Sequence, residues 1–140
     1  MIEAGTGPAL NSSILVDVRV ACNVDERDEG FDTKLIPLIN SQIMMAHEFG
    51  VGYSGFHVTG TEETWRDWLG DDGGKLAAIY TWLGYSVLLL FDPPENSTVL
   101  KSYQDQISKM EWMLCSRSWR EGLVKEYVPD QAAMYEEYED

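Results

Sequence analysis

The sequence predicts an all-α fold, a small bundle of four to five helices with a short extended or hairpin segment near 51–60. Three observations carry that prediction. Apolar residues recur at intervals of three and four through several long windows. One window, 76 to 91, is wholly uncharged and reads as a buried central helix. Capping and stopping residues, among them Gly50, Gly70 and Asp92-Pro93-Pro94, punctuate the windows where helices should end. The 140 residues are one domain's worth of chain, and 44% apolar content with five Trp, seven Tyr and four Phe supplies a core, which excludes wholesale disorder.

Residues 1 to 11 hold Gly5, Gly7, Pro8 and Asn11 and read as a loose leader whose ordering would come from a partner. Ser12 or Ser13 caps a first short helix running to about Cys22, with Ile14, Leu15, Val18 and Ala21 or Cys22 on its apolar side. An acidic loop, Asp25-Glu26-Arg27-Asp28-Glu29-Gly30, follows. A second helix is predicted from about 32 to 49, with Leu35, Leu38, Gln42, Met45 and Phe49 as its stripe, Ile39, Ile43 and Ala46 widening it, and Gly50 ending it. Pro37 has no N–H to give the carbonyl of Thr33, so this helix either begins at about Ile36 or kinks.

Residues 50 to 60, Gly-rich with Tyr53, Phe56, His57 and Val58, suggest a loop or short extended piece. Thr61, ahead of Glu62 and Glu63, starts a helix of one or two turns through Trp65 and Trp68, with its carboxylates at the positive end of the dipole. Asp71 or Asp72 caps the central helix, expected from about 74 to 91. Its sixteen uncharged residues, at about 1.5 Å each, fall short of the ~30 Å hydrocarbon core of a membrane. Asn96 or Ser97 restarts a fifth helix with Leu100, Tyr103, Ile107, Met110 and Leu114 at helical spacing. Residues 121 to 140 hold seven acids against Lys125 alone, interleaved with aromatics: too polar to fold alone, too aromatic for a purely solvating tail. The expected division is a leader (1–11), a helical core (12–115) and an acidic, Tyr-rich arm (116–140).

The chain carries 24 acids against 10 Lys and Arg, a formal charge of -14. Such a surface repels phosphate, which argues against duplex binding through a basic face and against an anionic membrane. It suits a basic partner, a crowded assembly, or DNA that must be kept from sticking. Cys22 and Cys115 form no C-x-x-C or Cys/His pattern, so neither zinc nor a disulfide scaffold is indicated, and both are expected to be reduced and buried. Residues 1 to 13 lack a basic region followed by an apolar stretch, so no secretory signal is expected, and the sequon Asn96-Ser97-Thr98 is then empty.

Several patterns resemble chemistry without its context. Gly50-Val51-Gly52-Tyr53-Ser54-Gly55 fits G-x-G-x-x-G, but a long amphipathic helix precedes it where a dinucleotide site needs a strand, so a helix-ending turn is the better reading. In the acidic loop, counting from Asp25, the third and twelfth positions of a calcium loop fall on Arg27 and Ile36, so a solvated loop is favoured. His47 and His57 sit in no catalytic or metal motif; a hydrolase built on His57 with Asp71 or Glu62 has nothing to assemble it. Met44, Met45, Met110 and Met113 fall on or beside apolar stripes, and core packing outweighs a Met-rich groove. Trp65 and Trp68 face the same way on a short helix and are equally readable as core anchors or as an intersubunit patch. No catalytic residue, cofactor or metal is assigned.

The ordered blocks Ile36-Pro37-Leu38-Ile39-Asn40-Ser41, Phe49-Gly50-Val51-Gly52, Thr59-Gly60-Thr61-Glu62-Glu63-Thr64-Trp65, Leu69-Gly70-Asp71-Asp72, Leu89-Leu90-Phe91-Asp92-Pro93-Pro94 and Glu111-Trp112 resemble the small all-α head-to-tail connector (adaptor) proteins of long-tailed bacteriophages. The resemblance covers about residues 13 to 114. It implies a non-enzymatic structural protein of the virion neck, assembled in the host cytoplasm into a homo-oligomeric ring of about twelve subunits. Such a ring docks on the portal protein, continues the DNA channel without binding DNA specifically, and offers a platform to the downstream neck, stopper or tail-completion protein. No membrane contact is implied. Candidate surfaces are a portal- or partner-binding arm (Trp119, Tyr127, Met134, Tyr135, Tyr138), a subunit interface (Tyr53, Phe56, Trp65, Trp68) and an acidic channel or surface (Asp25, Glu26, Asp28, Glu29, Asp71, Asp72). The rival reading is an acidic DNA mimic that inhibits a nuclease or restriction enzyme, which accounts for the charge but not for these blocks.

Overall fold

The computed structural model describes residues 9 to 71 and 76 to 116. They form five helices, α1 (Ile14–Ala21), α2 (Asp32–Glu48), α3 (Trp65–Leu69), α4 (Leu76–Phe91) and α5 (Ser97–Cys115). The all-α bundle is thus the observed architecture. Among the described residues there is no strand; a single antiparallel bridge joins Ser13 to Thr64, and the 51–60 segment is an irregular loop rather than a hairpin.

The uncharged α4 is the centre of the bundle and packs against α1, α2 and α5. Its buried residues, Leu76, Ile79, Trp82, Leu83, Gly84, Ser86, Val87 and Leu88, occupy more than one stripe, as expected of a helix covered on several sides. Gly84 sits where α1 comes closest: a Cβ there would lie 2.9 Å from the Cβ of Ala21. The chain leaves α4 at Asp92-Pro93-Pro94 and re-enters a helix at once, because Asn96 caps α5 by accepting from the N–H groups of Thr98 and Val99. α5 packs through one side, with Tyr103, Ile107 and Met110 half-buried and Leu114 enclosed. Trp82 Nε1 donates to Glu111 Oε2 at 3.1 Å, and Tyr85 meets Tyr103 edge to face.

α2 runs unbroken from Asp32, so Pro37 lies inside it rather than at its start. Both Thr33 and Pro37 are exposed, which leaves the carbonyl that lost its donor on the solvent side. The buried face is Leu35, Ile39, Ile43 and Ala46, so the residues expected to widen the stripe are in fact its centre. Leu38 and Phe49 lie half-buried on the flank, and Met45 and Met44 are exposed, Met44 at 71%. Both stripes obey the helical period, and where the neighbouring helices lie decides which is innermost. The helix ends in a Schellman motif: Gly50, at φ +86°, donates to the carbonyl of His47, and the buried Val51 donates to that of Ala46.

Two further expectations are corrected. Cys22 is buried and its thiol is pushed up to about 11 by burial and by the nearby Asp92, but Cys115 is exposed because it lies on the outer side of α5. α3 starts one turn later than Thr61 suggests. Thr64 is the cap, in a capping box with Asp67, since Glu63 is held extended by Ile14 N–H donating to its carbonyl.

Asn40, on the far side of α2 from its flank residues, fixes the loop that precedes α3. Its amide accepts from the N–H of Val58 at 2.7 Å and donates to the carbonyl of the same residue at 2.9 Å, pairing both backbone groups of a side chain that is 1% exposed. Replacing Asn40 by Ala strands both groups, and the expected cost is about 1–3 kcal/mol of unfolding free energy. Urea denaturation measures it; a loss below about 0.5 kcal/mol would mean that the pair does not hold the loop.

Candidate assembly surfaces

A five-residue helix has no stability of its own, and α3 is held by the two indoles it carries. Trp65 and Trp68 are both 0% exposed and pack as anchors in the core of the chain. Burying each ring removes about 150–250 Å² of surface, on the order of 4–6 kcal/mol apiece as an upper bound. Trp65 packs edge to face with Tyr80, and its Nε1 donates to Asp17 Oδ2 at 2.7 Å. The segment before α1 is tied to the start of α3 as well, with Trp65 N–H donating to the carbonyl of Ser12 and Arg66 N–H to that of Leu10.

Trp68 explains the glycine-rich loop. Gly52, at φ +79°, lies directly against the indole: a Cβ there would fall 2.1 Å from Nε1, and Phe56 stacks beyond at 6.2 Å and an interplanar angle of 11°. The same close approach leaves Trp68 Nε1 without a hydrogen-bond partner, alone among the buried side-chain polar atoms of the described residues. Tyr53 N–H donates to the carbonyl of Trp68, and the Tyr53 hydroxyl covers Gly70, where a Cβ would lie 2.9 Å away. The three glycines of the G-x-G-x-x-G match therefore serve a helix end and an indole-clasping turn. Of the predicted interface residues, Tyr53 remains exposed at 52% and Phe56 is half-buried.

The acidic candidates occupy two separate places. Asp25, Glu26, Asp28 and Glu29 are exposed on the α1–α2 loop. Asp71 is exposed beyond α3, where Arg66 pairs with it while also donating to Asn11. Because Asn11 precedes α1 and the acidic loop follows it, the two groups lie at opposite ends of that helix. Asp72, Trp119, Tyr127, Met134, Tyr135 and Tyr138 lie outside the described residues.

The residue that organises the acidic loop is one that sequence reasoning missed. Arg19, with a side chain only 3% exposed, donates to Asp32 through Nε at 3.1 Å and Nη2 at 2.6 Å, and to the carbonyl of Glu26 through Nη1 at 2.7 Å. Its hydrogen bond to Asp32 holds the guanidinium above its ordinary value, outweighing the opposing effect of burial. The pair spans thirteen residues, so no short motif points to it. A cation at a position of α1 adjacent to the buried Val18 was the only available signal. Glu63 was likewise read as a dipole residue, whereas its carboxylate accepts from Thr59 Oγ1 and Gly60 N–H; these bonds hold it below its ordinary value although burial acts to raise it.

Among the described residues, no group of three or more His, Cys, Asp and Glu could hold a metal ion, and no helix is long and apolar enough to cross a membrane. His47 and His57 are exposed on different elements. A family model described as phage connector protein matches residues 14–120, and the chain belongs to that family. It is a structural protein of the phage neck. No curated protein and no solved structure matches the chain.

Gly52→Ala is expected to destabilise the domain by at least about 2 kcal/mol, since the backbone is left-handed and the indole has nowhere to move. An unchanged denaturation midpoint and near-UV spectrum would contradict the clasp. Asp17 gives a second expectation. Burial, with a smaller contribution from Glu26, raises its carboxyl, against the opposing bond from Trp65. A folded value above the unfolded one means that stability falls as pH rises from the unfolded value through the folded one and stays lower above it. Asp17→Asn keeps the acceptor without the charge, so it should remain within about 1 kcal/mol of wild type at neutral pH and lose less stability over that rise. Asp17→Ala strands the indole N–H and should cost about 1–3 kcal/mol throughout. Urea midpoints between acid and neutral pH distinguish these outcomes.

Proposed function

We propose that this connector protein acts as a head-to-tail adaptor: copies form a ring, of about twelve subunits, that docks on the portal protein, prolongs the DNA channel and carries the next neck or tail-completion protein. The family match over residues 14–120 is the observation that carries this reading. The charge supports it physically. A ring multiplies the -14 of each subunit, and carboxylates facing a lumen offer phosphates no cation to release counterions against, so DNA slides past. The loop carboxylates Glu26 and Glu29, already in water, are suited to such a surface. The DNA-mimic alternative accounts for the charge but not for the family match.

Within this reading the chain divides into a leader to about residue 11, a helical core and an acidic arm from 116, whose Tyr127, Met134, Tyr135 and Tyr138 order against the portal or a neighbouring subunit while its acids meet basic groups. Deleting residues 121 to 140 should abolish attachment to portal-bearing heads while leaving the helical far-UV spectrum and the unfolding midpoint of the core intact. Attachment that survives the deletion assigns docking elsewhere and sinks the role of the arm.

A further inference from the structure

We infer that successive copies of this chain join head to tail, the segment Arg117-Ser118-Trp119-Arg120 of one copy entering an acidic groove at the α4–α5 corner of the next. The inference rests on the ring reading above and assigns its subunit contact.

The groove consists of two open hollows, of about 410 and 330 Å³, that adjoin at Asn23 and Asp92. Asp25 and Asp28 line one, Glu95 lines the other, and Asp92 lies between them; among the described residues Lys34 is the sole cation on either wall. Among the described residues, none of these four carboxylates has a Lys or Arg within ion-pair distance, whereas Asp32, Asp71 and Asp105 do. Apolar side chains share the lining with these carboxylates. Phe31 and Phe91 meet edge to face at 5.5 Å, and Pro93, Pro94 and Val99 continue the surface, with Phe31 and Val99 still 42% and 43% exposed. Pro93 and Pro94 end α4, and both line one of these hollows.

An occupant that complements this surface needs cations on either side of a flat apolar group. The sequence contains one such segment: 117 to 120 is the only four-residue window with two cations, and they flank Trp119. It cannot serve its own groove. α5 has nineteen residues between the Pro93-Pro94 corner and Ser116, a length of about 28 Å at 1.5 Å per residue. Four residues beyond Ser116 reach back at most ~14 Å. The segment at the far end of α5 therefore meets this groove only on another copy, and because the two patches differ, the contact is heterologous and propagates until the rotation closes. The rest of the arm, with seven acids against one lysine, is repelled by the same carboxylates.

Charge reversal tests the contact on the full chain by sedimentation velocity. Asp92→Lys with Glu95→Lys reverses the groove; a lysine at 92 follows the last turn of α4, where the helix dipole favours it, so the fold is not put at risk. Arg117→Glu with Arg120→Glu reverses the segment. Each double variant alone should self-associate at least about tenfold more weakly than wild type, with the wild-type association itself weakening as salt rises. Mixed one to one, the two variants should associate again, because each reversed groove meets a reversed segment and each native groove a native one. Association indifferent to the reversals, a mixture that does not recover, or a wild-type chain that shows no self-association overturns the contact. Attachment to portal-bearing heads is scored separately: heads that bind the chain while the reversals leave its association untouched refute this contact and leave the adaptor reading standing.

Discussion

Sixteen consecutive uncharged residues cannot be left facing water, and the arrangement of this protein follows from covering them. α4 is hydrophobic on more of its circumference than one neighbour can shield, so α1, α2 and α5 surround it. Each of the others can afford a polar outer face because it need supply only one stripe. Gly84 lets α1 approach closely at one point, and the Trp82–Glu111 hydrogen bond ties α5 where its apolar side is thinnest.

Around that centre, the irregular parts are held by a few side chains that act as substitutes for secondary structure. Asn40 pairs with the backbone of Val58 as a neighbouring strand would. Arg19 closes the acidic loop by meeting Asp32 and the carbonyl of Glu26 from a buried position. Two indoles give a five-residue helix an anchor it could not supply by propensity. Removing either partner of the Arg19–Asp32 pair would leave a charge with reduced solvation, which is why such a pair fixes the loop more firmly than an exposed bridge of the same length. The pairs Arg66–Asp71 and Lys101–Asp105 are exposed by comparison and contribute little.

This division of labour bears on how a small domain serves an assembly. Apart from the Trp68 indole nitrogen, the buried side-chain polar atoms of the described residues are paired, and the surface they leave is acidic with isolated apolar residues, among them Trp112 at 74% exposure and Met44. Several residues of the blocks that resemble phage connector proteins are scaffold: Asn40, Gly52, Thr64 and Trp65 hold loops and helix ends, while the Pro93-Pro94 corner lines a surface hollow. The resemblance was therefore legible in part from residues that maintain the fold.

The sequence by itself determined a bundle of four to five helices, the burial of 76 to 91 and the stops at Gly50 and Asp92-Pro93-Pro94, and it narrowed two caps to Ser12 or Ser13 and Asn96 or Ser97, because these depend on periodicity and on backbone chemistry within a few residues. Its local signals misplace some features and leave others open: Thr61 reads as the cap that Thr64 supplies, the flank of α2 reads as its stripe, and the start of α2 is left open by Pro37. Those choices, together with the burial of Trp65 and Trp68, the exposure of Cys115 and the roles of Arg19 and Asn40, were decided only by the tertiary structure. Each depends on a contact between residues distant in sequence, and no pattern along the chain records which of two chemically equal neighbours will be covered when the helices meet.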